Sequence, residues 1–162
     1  MAIIIEQQSK CTICNSYLND LREYILIPPI VSNTKDVLFN FSDGGIHTEC
    51  IEKSKFKSQL LQQINLYYEH LPLTKLKCVV DGKIIDKPEN MLFWGLLTSN
   101  EKEDLYNFNY ISINLLNLSK WKEANRFLLI AEKFIKENKW KGLTEFNLLE
   151  FIINKIKENL KY

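Results

Sequence analysis

Cys11-Thr-Ile-Cys14 and, beginning thirty-three residues after Cys14, His47-Thr-Glu-Cys50 are the stretches of sequence that decide how this chain folds. Each stretch holds two soft metal ligands separated by two residues, so together they offer three thiolates and one imidazole. This number and kind of ligands is typical of a structural zinc site with tetrahedral coordination. We therefore predict one structural zinc ion, bound by Cys11, Cys14, His47 and Cys50. The competing interpretation is that the cysteines are small buried hydrophobic residues and that His47 lies near them by chance.

The order of the two pairs predicts a fold as well as a metal site. A Cys-x2-Cys turn, then two strands, then a helix that carries the last two ligands is the layout of a treble-clef zinc finger. We expect the strands at 24–31, where Pro28-Pro29 interrupts an apolar run, and at 36–41. The helical pattern starts near Ile46, which would place the last two ligands on one helix face.

Downstream of the ligands, hydrophobic periodicity predicts a long helix and then a small sheet. The helix should occupy about 56–71. An Asp81-Gly82 turn indicates a hairpin over 76–85, and the alternation of apolar and polar residues indicates a strand over 106–116.

Two amphipathic stretches near the end of the chain predict a C-terminal antiparallel helical hairpin, with one helix over about 120–138 and a second that Thr144 would cap. The expected fold class is therefore α+β: a treble-clef zinc finger, a small antiparallel sheet and this hairpin. We expect two parts that share one core. Residues 1–72 form the zinc-binding part with its long helix, and residues 73–162 form the strand-loop-strand region and the hairpin. Zinc would replace hydrophobic core that a part of this size lacks.

A weak internal similarity links the first turn to the predicted hairpin. Cys11-Thr-Ile-Cys14-Asn-Ser-Tyr-Leu resembles Cys78-Val-Val-Asp81-Gly-Lys-Ile-Ile, with Asp81 in place of the second thiolate. The second segment is either a decayed zinc knuckle or an ordinary Asp-Gly hairpin, and the frequency of that turn favours the hairpin.

Composition and charge favour a reducing compartment and give no overall attraction to nucleic acid. The chain has 162 residues and four cysteines, starts without a recognisable leader, and has no apolar run long enough to cross a membrane. We therefore expect a cytoplasmic protein. Its net charge is +1, but residues 120–162 are net basic and residues 81–119 are net acidic.

Catalysis is not expected at the metal, because four protein ligands leave no open coordination position. The chain has only two histidines, His47 and His70, and His47 is assigned to zinc. Cys78 with His70 as a base is a weak candidate pair. Asp43 and Glu49 are candidates to accept a hydrogen bond from the second ring nitrogen of His47. We expect a protein that is not an enzyme.

The stretch Phe39-Asn-Phe-Ser-Asp-Gly-Gly-Ile-His-Thr-Glu-Cys50, following Cys11-Thr-Ile-Cys14, resembles a group of small bacterial treble-clef zinc proteins, some of them immunity proteins of polymorphic toxin systems. The similarity extends to Cys78-Val-Val-Asp81-Gly-Lys and to Leu118-Ser-Lys-Trp121. The relatives carry Cys-x2-Cys at the second turn, so Asp81 puts a second metal site in doubt.

The resemblance implies a non-enzymatic interaction module, most concretely an immunity protein that binds and inhibits a cognate toxin. Its contacts would come from an acidic stretch facing a basic toxin. The residues of that stretch are Asp81, Asp86, Glu89, Glu101, Glu103 and Asp104. The alternatives are a nucleic-acid-binding zinc-finger regulator that uses the basic helices at 120–162, and a nuclease of the HNH type, which is disfavoured by the small number of histidines.

Overall fold

The computed structural model describes residues 3–19, 21–143 and 145–160. Its strands and α-helices, in chain order, are β1 (Tyr24–Leu26), β2 (Gly45–His47), α1 (Thr48–Glu52), α2 (Lys57–His70), β3 (Met91–Trp94), β4 (Ile111–Asn114), α3 (Ala124–Lys136) and α4 (Leu148–Leu160). Short 3-10 helices lie at Phe39–Phe41, Leu73–Lys75, Pro88–Asn90, Asp104–Phe108 and Leu115–Lys120. The fold is α+β, with two two-stranded antiparallel sheets, β1–β2 and β3–β4, and a pair of helices at the C-terminus.

The first sheet joins the first cysteine pair to the second pair of ligands. β1 pairs with β2 so that Tyr24 lies opposite His47. The turn that carries Cys11 and Cys14 attaches to the start of β2, because the Thr12 N–H donates to the Gly45 carbonyl over 3.1 Å. α1 follows β2 directly, so the chain turns from strand to helix at His47.

Two local predictions for the first part of the chain are wrong. Residues 36–41 form no strand. The Asp36 side chain accepts the Leu38 N–H over 2.9 Å, which starts a turn that continues into a 3-10 helix and buries Leu38 and Phe41. His47 does not share a helix face with Cys50. It has extended φ and ψ at the end of β2, and only Cys50 lies within α1.

The remaining predictions locate the elements but misjudge several of their ends. The helix at 56–71 is confirmed as α2, and the hairpin at 76–85 is present, with a bridge between Lys77 and Ile84. The strand at 106–116 reduces to β4, because 104–108 coil into a 3-10 helix. The C-terminal pair is α3 and α4, joined by an ion pair of 2.6 Å between Lys157 and Glu132. The predicted cap at Thr144 lies outside the described residues.

Buried apolar side chains form two clusters. The first surrounds the β1–β2 sheet and is built from aliphatic residues such as Ile27, Leu38, Ile46 and Leu60. The second lies between the β3–β4 sheet, α3 and α4 and is richer in aromatic rings. Trp94, Phe108, Trp121 and Phe127 contact one another there, with ring centroids 5.3–6.2 Å apart. Among the described helices, none is both long and apolar enough to cross a membrane.

The same succession of elements occurs twice, at a constant displacement of 67 positions. We call residues 10–70 the first unit and residues 77–137 the second unit. β1 corresponds to β3, β2 to β4 and α2 to α3, while the 3-10 helix Leu115–Lys120 takes the place of α1. Residues with positive φ correspond as well: Asn15 pairs with Gly82, and Asp43 pairs with Tyr110. α4 has no counterpart in the first unit.

Gly45 is the point at which the cysteine turn approaches β2 most closely, and Gly45→Ala should destabilise the protein. A Cβ atom there would overlap the Cδ1 of Leu18, a buried core residue just after the turn. We expect a loss of about 1–3 kcal/mol in the free energy of unfolding, measured by chemical denaturation.

Gly95→Ala is the matched control, because its Cβ would meet nothing closer than Tyr110 Cε1 at 3.8 Å. That change should be neutral or stabilising by up to about 1 kcal/mol. Equal stabilities for the two variants would contradict the close approach at Gly45.

Candidate metal centre

The structure brings the four ligand residues predicted from sequence into one cluster. The sulfur atoms of Cys11, Cys14 and Cys50 and a ring nitrogen of His47 all lie within 4.8 Å of one another. Cys14 Sγ and His47 Nδ1 are 3.4 Å apart. With Zn–S bonds of about 2.3 Å and Zn–N bonds of about 2.0–2.1 Å, a tetrahedral site requires an S···N separation of about 3.5 Å. These four residues could therefore hold one metal ion, and their chemistry fits zinc.

The cysteine turn is shaped by its own backbone hydrogen bonds. The Cys11 N–H donates to the Ser16 carbonyl over 2.8 Å, and the Asn15 N–H donates back to the Cys11 carbonyl over 2.9 Å. Closing a turn this tightly requires a left-handed residue, and Asn15 supplies it with φ of +58°. Asparagine tolerates that conformation better than most residues. The turn thereby directs both cysteine side chains towards the end of β2.

His47 is fully buried, and its two ring nitrogens face different partners. Nε2 lies 3.2 Å from the Tyr17 carbonyl and donates its hydrogen there. Nδ1 is then the nitrogen that faces Cys14 Sγ, and it can bind a metal once it carries no hydrogen. The acceptor is therefore a backbone group of the cysteine turn and neither Asp43 nor Glu49. This hydrogen bond sets the ring orientation that metal binding needs.

The guanidinium group of Arg22 lies beside the cluster. Arg22 Nε donates to Glu49 Oε1 over 2.6 Å, and its NH2 group lies 3.9 Å from Cys50 Sγ. The hydrogen bond from Arg22 lowers the pKa of Glu49, and Glu49 in turn raises the pKa of the guanidinium. Three thiolates and one dication would leave a net charge of −1, and the Arg22 NH2 group can donate a hydrogen bond to Cys50 while its charge is shared with Glu49. Sequence reasoning missed Arg22, because nothing in its spacing connects it to the ligands.

The thiols differ sharply in acidity. Hydrogen bonds from the Ser16 backbone and side chain lower the pKa of Cys14 to about 5. Burial, followed by the neighbouring Cys14 and Cys11, raises the pKa of Cys50 to about 11. Without a cation, the cluster therefore favours one thiolate and resists ionising Cys50. A bound dication would reverse that resistance, because it replaces repulsion between thiolates with attraction to the metal.

Neither of the other weak candidates belongs to the cluster. His70 donates from Nδ1 to the Leu66 carbonyl over 2.8 Å and stacks on Tyr110, with ring centroids 4.8 Å apart. Cys78 is buried in the aromatic cluster of the second unit. The two residues are thus held in separate surroundings and form no nucleophile-base pair.

Comparisons of the chain with protein-family models, with curated proteins and with solved structures found no match in any of the three. The interpretation of the metal centre therefore depends on its own geometry.

Removing one ligand should remove the metal. We expect about one zinc per chain by elemental analysis of the freshly purified protein, and almost none for Cys14→Ser, because three ligands cannot fill the tetrahedral shell. Cys78→Ser is the control, since Cys78 lies outside the cluster, and it should keep the zinc content of the parent. Purified protein that contains no metal would overturn the assignment.

Zinc affinity should rise steeply with pH around neutrality. Cys50, with a pKa of about 11, must lose a proton to bind zinc, whereas Cys14, with a pKa of about 5, has already lost its own. The affinity should therefore increase at least about tenfold per pH unit between about pH 6 and pH 8, measured by competition with a chromophoric chelator.

In Cys50→His the same titration should be shallower above about pH 6.5, because an imidazole with a pKa of about 6.5 is mostly neutral there. An affinity of the parent protein that does not change with pH would be incompatible with a protonated Cys50.

Proposed function

We propose that this protein is a non-enzymatic interaction module in which one structural zinc ion stabilises the first unit. The observation that carries the proposal is the closed set of four ligands, Cys11, Cys14, His47 and Cys50, all within 4.8 Å of one another. Such a set leaves no coordination position for water or substrate. The function would then be performed by the surface of the protein, and the metal would keep that surface in shape.

The finer fold that we propose for the first unit is a treble clef. Support comes from the order of its parts: a cysteine turn, the antiparallel pair β1–β2, and α1, with ligands at the turn and at the junction of β2 with α1. The turn is attached to β2 by a backbone hydrogen bond. This attachment places the first ligand pair beside the strand that leads into the second pair.

The most concrete role that we propose is that of an immunity protein, which binds and blocks a cognate toxin. Support comes from the resemblance of residues 39–50 to such proteins and from exposed acidic side chains in the stretch 81–104. Asp81 and Glu103 are engaged within the chain, by Asn117 over 2.9 Å and by Lys139 over 2.9 Å. The carboxylates offered to a basic partner are then Asp86, Glu89, Glu101 and Asp104.

The nucleic-acid alternative gains no support from the C-terminal helices. Five of the basic side chains described in 120–160 form ion pairs with glutamates, which reduces the positive field that a phosphate backbone would meet. These pairs are Arg126 with Glu123, Lys133 with Glu137, Lys139 with Glu137, Lys155 with Glu158 and Lys157 with Glu132. A nuclease is equally unsupported, because His47 faces the cluster of thiols and His70 is held by Leu66 and stacked on Tyr110.

Reversing the charge of the offered carboxylates should weaken binding to the toxin. The variant combines Asp86→Lys, Glu89→Lys, Glu101→Lys and Asp104→Lys, and the partner to test is the product of the adjacent gene. Loss of charge complementarity should lower the affinity at least about tenfold, mainly through slower association, as measured by surface plasmon resonance.

The matched control reverses four exposed carboxylates elsewhere, Glu6, Glu23, Glu69 and Glu150, and should bind like the parent. If both quadruple variants bind the partner as tightly as the parent, the acidic stretch is not the interface. Binding of the parent to duplex DNA that weakens steeply with salt would instead favour the nucleic-acid regulator.

A further inference from the structure

The two units agree in their hydrogen bonds as well as in their elements. In the second unit the Cys78 N–H donates to the Lys83 carbonyl over 2.8 Å, and the Gly82 N–H donates to the Cys78 carbonyl over 2.8 Å. These are the bonds of the cysteine turn in the first unit, displaced by 67 positions. The attachment to the sheet is repeated too, because the Val79 N–H donates to the Ser112 carbonyl over 2.9 Å.

The buried apolar positions correspond in the same way. The equivalent pairs are Leu18 and Ile85, Ile27 and Trp94, Ile30 and Leu97, Leu38 and Leu105, Phe41 and Phe108, Ile46 and Ile113, Ile51 and Leu118, and Leu60 and Phe127. Each member of every pair is buried, and no insertion or deletion interrupts the correspondence. Chance recurrence of one hairpin would repeat the local turn but not the core of the sheet and helix that follow it.

The constant displacement assigns a counterpart to every metal ligand. Positions 11, 14, 47 and 50 correspond to 78, 81, 114 and 117, which hold Cys78, Asp81, Asn114 and Asn117. One thiol is retained, one thiolate is replaced by a carboxylate, and the other two ligands are replaced by amides. Amide oxygens are weak ligands for zinc, so one thiol and one carboxylate are the only strong ligands left at these positions.

At these four positions the Asn117 side chain contacts Asp81 and Cys78 directly, and Asn114 contributes only its backbone. The Asn114 side-chain oxygen instead accepts the Leu116 N–H over 3.0 Å. The Asn117 side-chain amide donates to Asp81 Oδ2 over 2.9 Å and points at Cys78 Sγ from 3.8 Å. The Asn114 backbone N–H lies 3.4 Å from the same sulfur. The Lys83 N–H donates to Asp81 Oδ1 over 3.1 Å. The Asn117 side-chain N–H group therefore takes the place that the metal ion would have in the first unit.

We propose that the second unit is a copy of the first in which hydrogen bonds from Asn117 have replaced the metal ion, and that restoring the three lost ligands would recreate a zinc site there. The proposal goes beyond the role of the protein as an interaction module. It uses the zinc of the first unit only as the pattern for the second.

A larger core explains why the second unit can dispense with a metal. Where the first unit has Ile27, Ser54 and Leu60, the second has Trp94, Trp121 and Phe127. α4 then covers this cluster with Leu149, Ile152 and Ile156, all of them fully buried. Burial of a large aromatic side chain contributes several kcal/mol, whereas a small aliphatic core leaves a unit of about 60 residues marginal.

The charge balance of the second site also suits hydrogen bonding. It contains a single carboxylate, and hydrogen bonds from the Lys83 backbone and then from the Asn117 side chain lower the pKa of Asp81. One anion needs only N–H donors, whereas three thiolates need a dication. The two sites therefore differ both in their charged groups and in what balances those charges: N–H donors in the second unit and a dication in the first.

The test is the triple variant Asp81→Cys, Asn114→His and Asn117→Cys. After refolding with zinc and extensive dialysis, elemental analysis should give about two zinc ions per chain, against about one for the parent. The control carries the same new residue types at exposed neighbouring positions, as Lys83→Cys, Leu116→His and Ser119→Cys, and should stay at about one. A folded triple variant with no more zinc than the parent would overturn the proposal, as would a parent that binds two zinc ions.

A second measurement needs no variant. All three tryptophans, Trp94, Trp121 and Trp140, lie in the hydrophobic cluster that forms the core of the second unit. If that unit needs no metal, stripping the parent with a chelator should leave its tryptophan emission unchanged. A shift of the emission to that of the denatured protein would refute the proposal. Failure of the zinc assignment itself is recognised separately, as a parent without metal.

Discussion

The convergence of three thiols and one imidazole at the end of β2 is the constraint on which the first unit depends. It ties Cys11 and Cys14 in the turn to His47 and Cys50 at the strand-helix junction, and so closes a segment of some forty residues with a small aliphatic core. Three neighbouring groups allow the two ligand pairs to come together. Gly45 leaves room for the turn, Asn15 permits it, and the Tyr17 carbonyl orients the imidazole.

The second unit solves the same folding problem by different means. It keeps the turn, the sheet and the following helix, but an amide-carboxylate contact occupies the place of the ligand cluster. Large aromatic residues and a further helix, α4, enlarge its core. The comparison indicates that a metal ion and a larger hydrophobic core are alternative ways to stabilise this arrangement of elements.

Local physics explains which predictions succeeded. α2 was found from sequence because its apolar residues recur at helical spacing over fourteen residues, a signal that tertiary contacts reinforce. The strand predicted at 36–41 is wrong because the Asp36 side chain accepts backbone N–H groups and bends the chain. Leu38 and Phe41 are therefore buried from a 3-10 turn. Short elements are decided by such single contacts, which hydrophobic patterns do not report.

Soft ligands at the right spacing are a chemical property of the residues themselves, so the sequence alone predicts the four members of the metal cluster. The same holds for the Asp-Gly turn and the long helices. The partners of that cluster could not be named. Arg22 lies beside Cys50, and the acceptor of His47 is a backbone carbonyl, which carries no sequence signal. Of the relation between the two units, the sequence showed only the weak similarity of the two turns, since the rest of the signal is backbone geometry and burial. Only in three dimensions do the Asn114 backbone and the Asn117 side chain meet Cys78 and Asp81, where the first unit has His47 and Cys50.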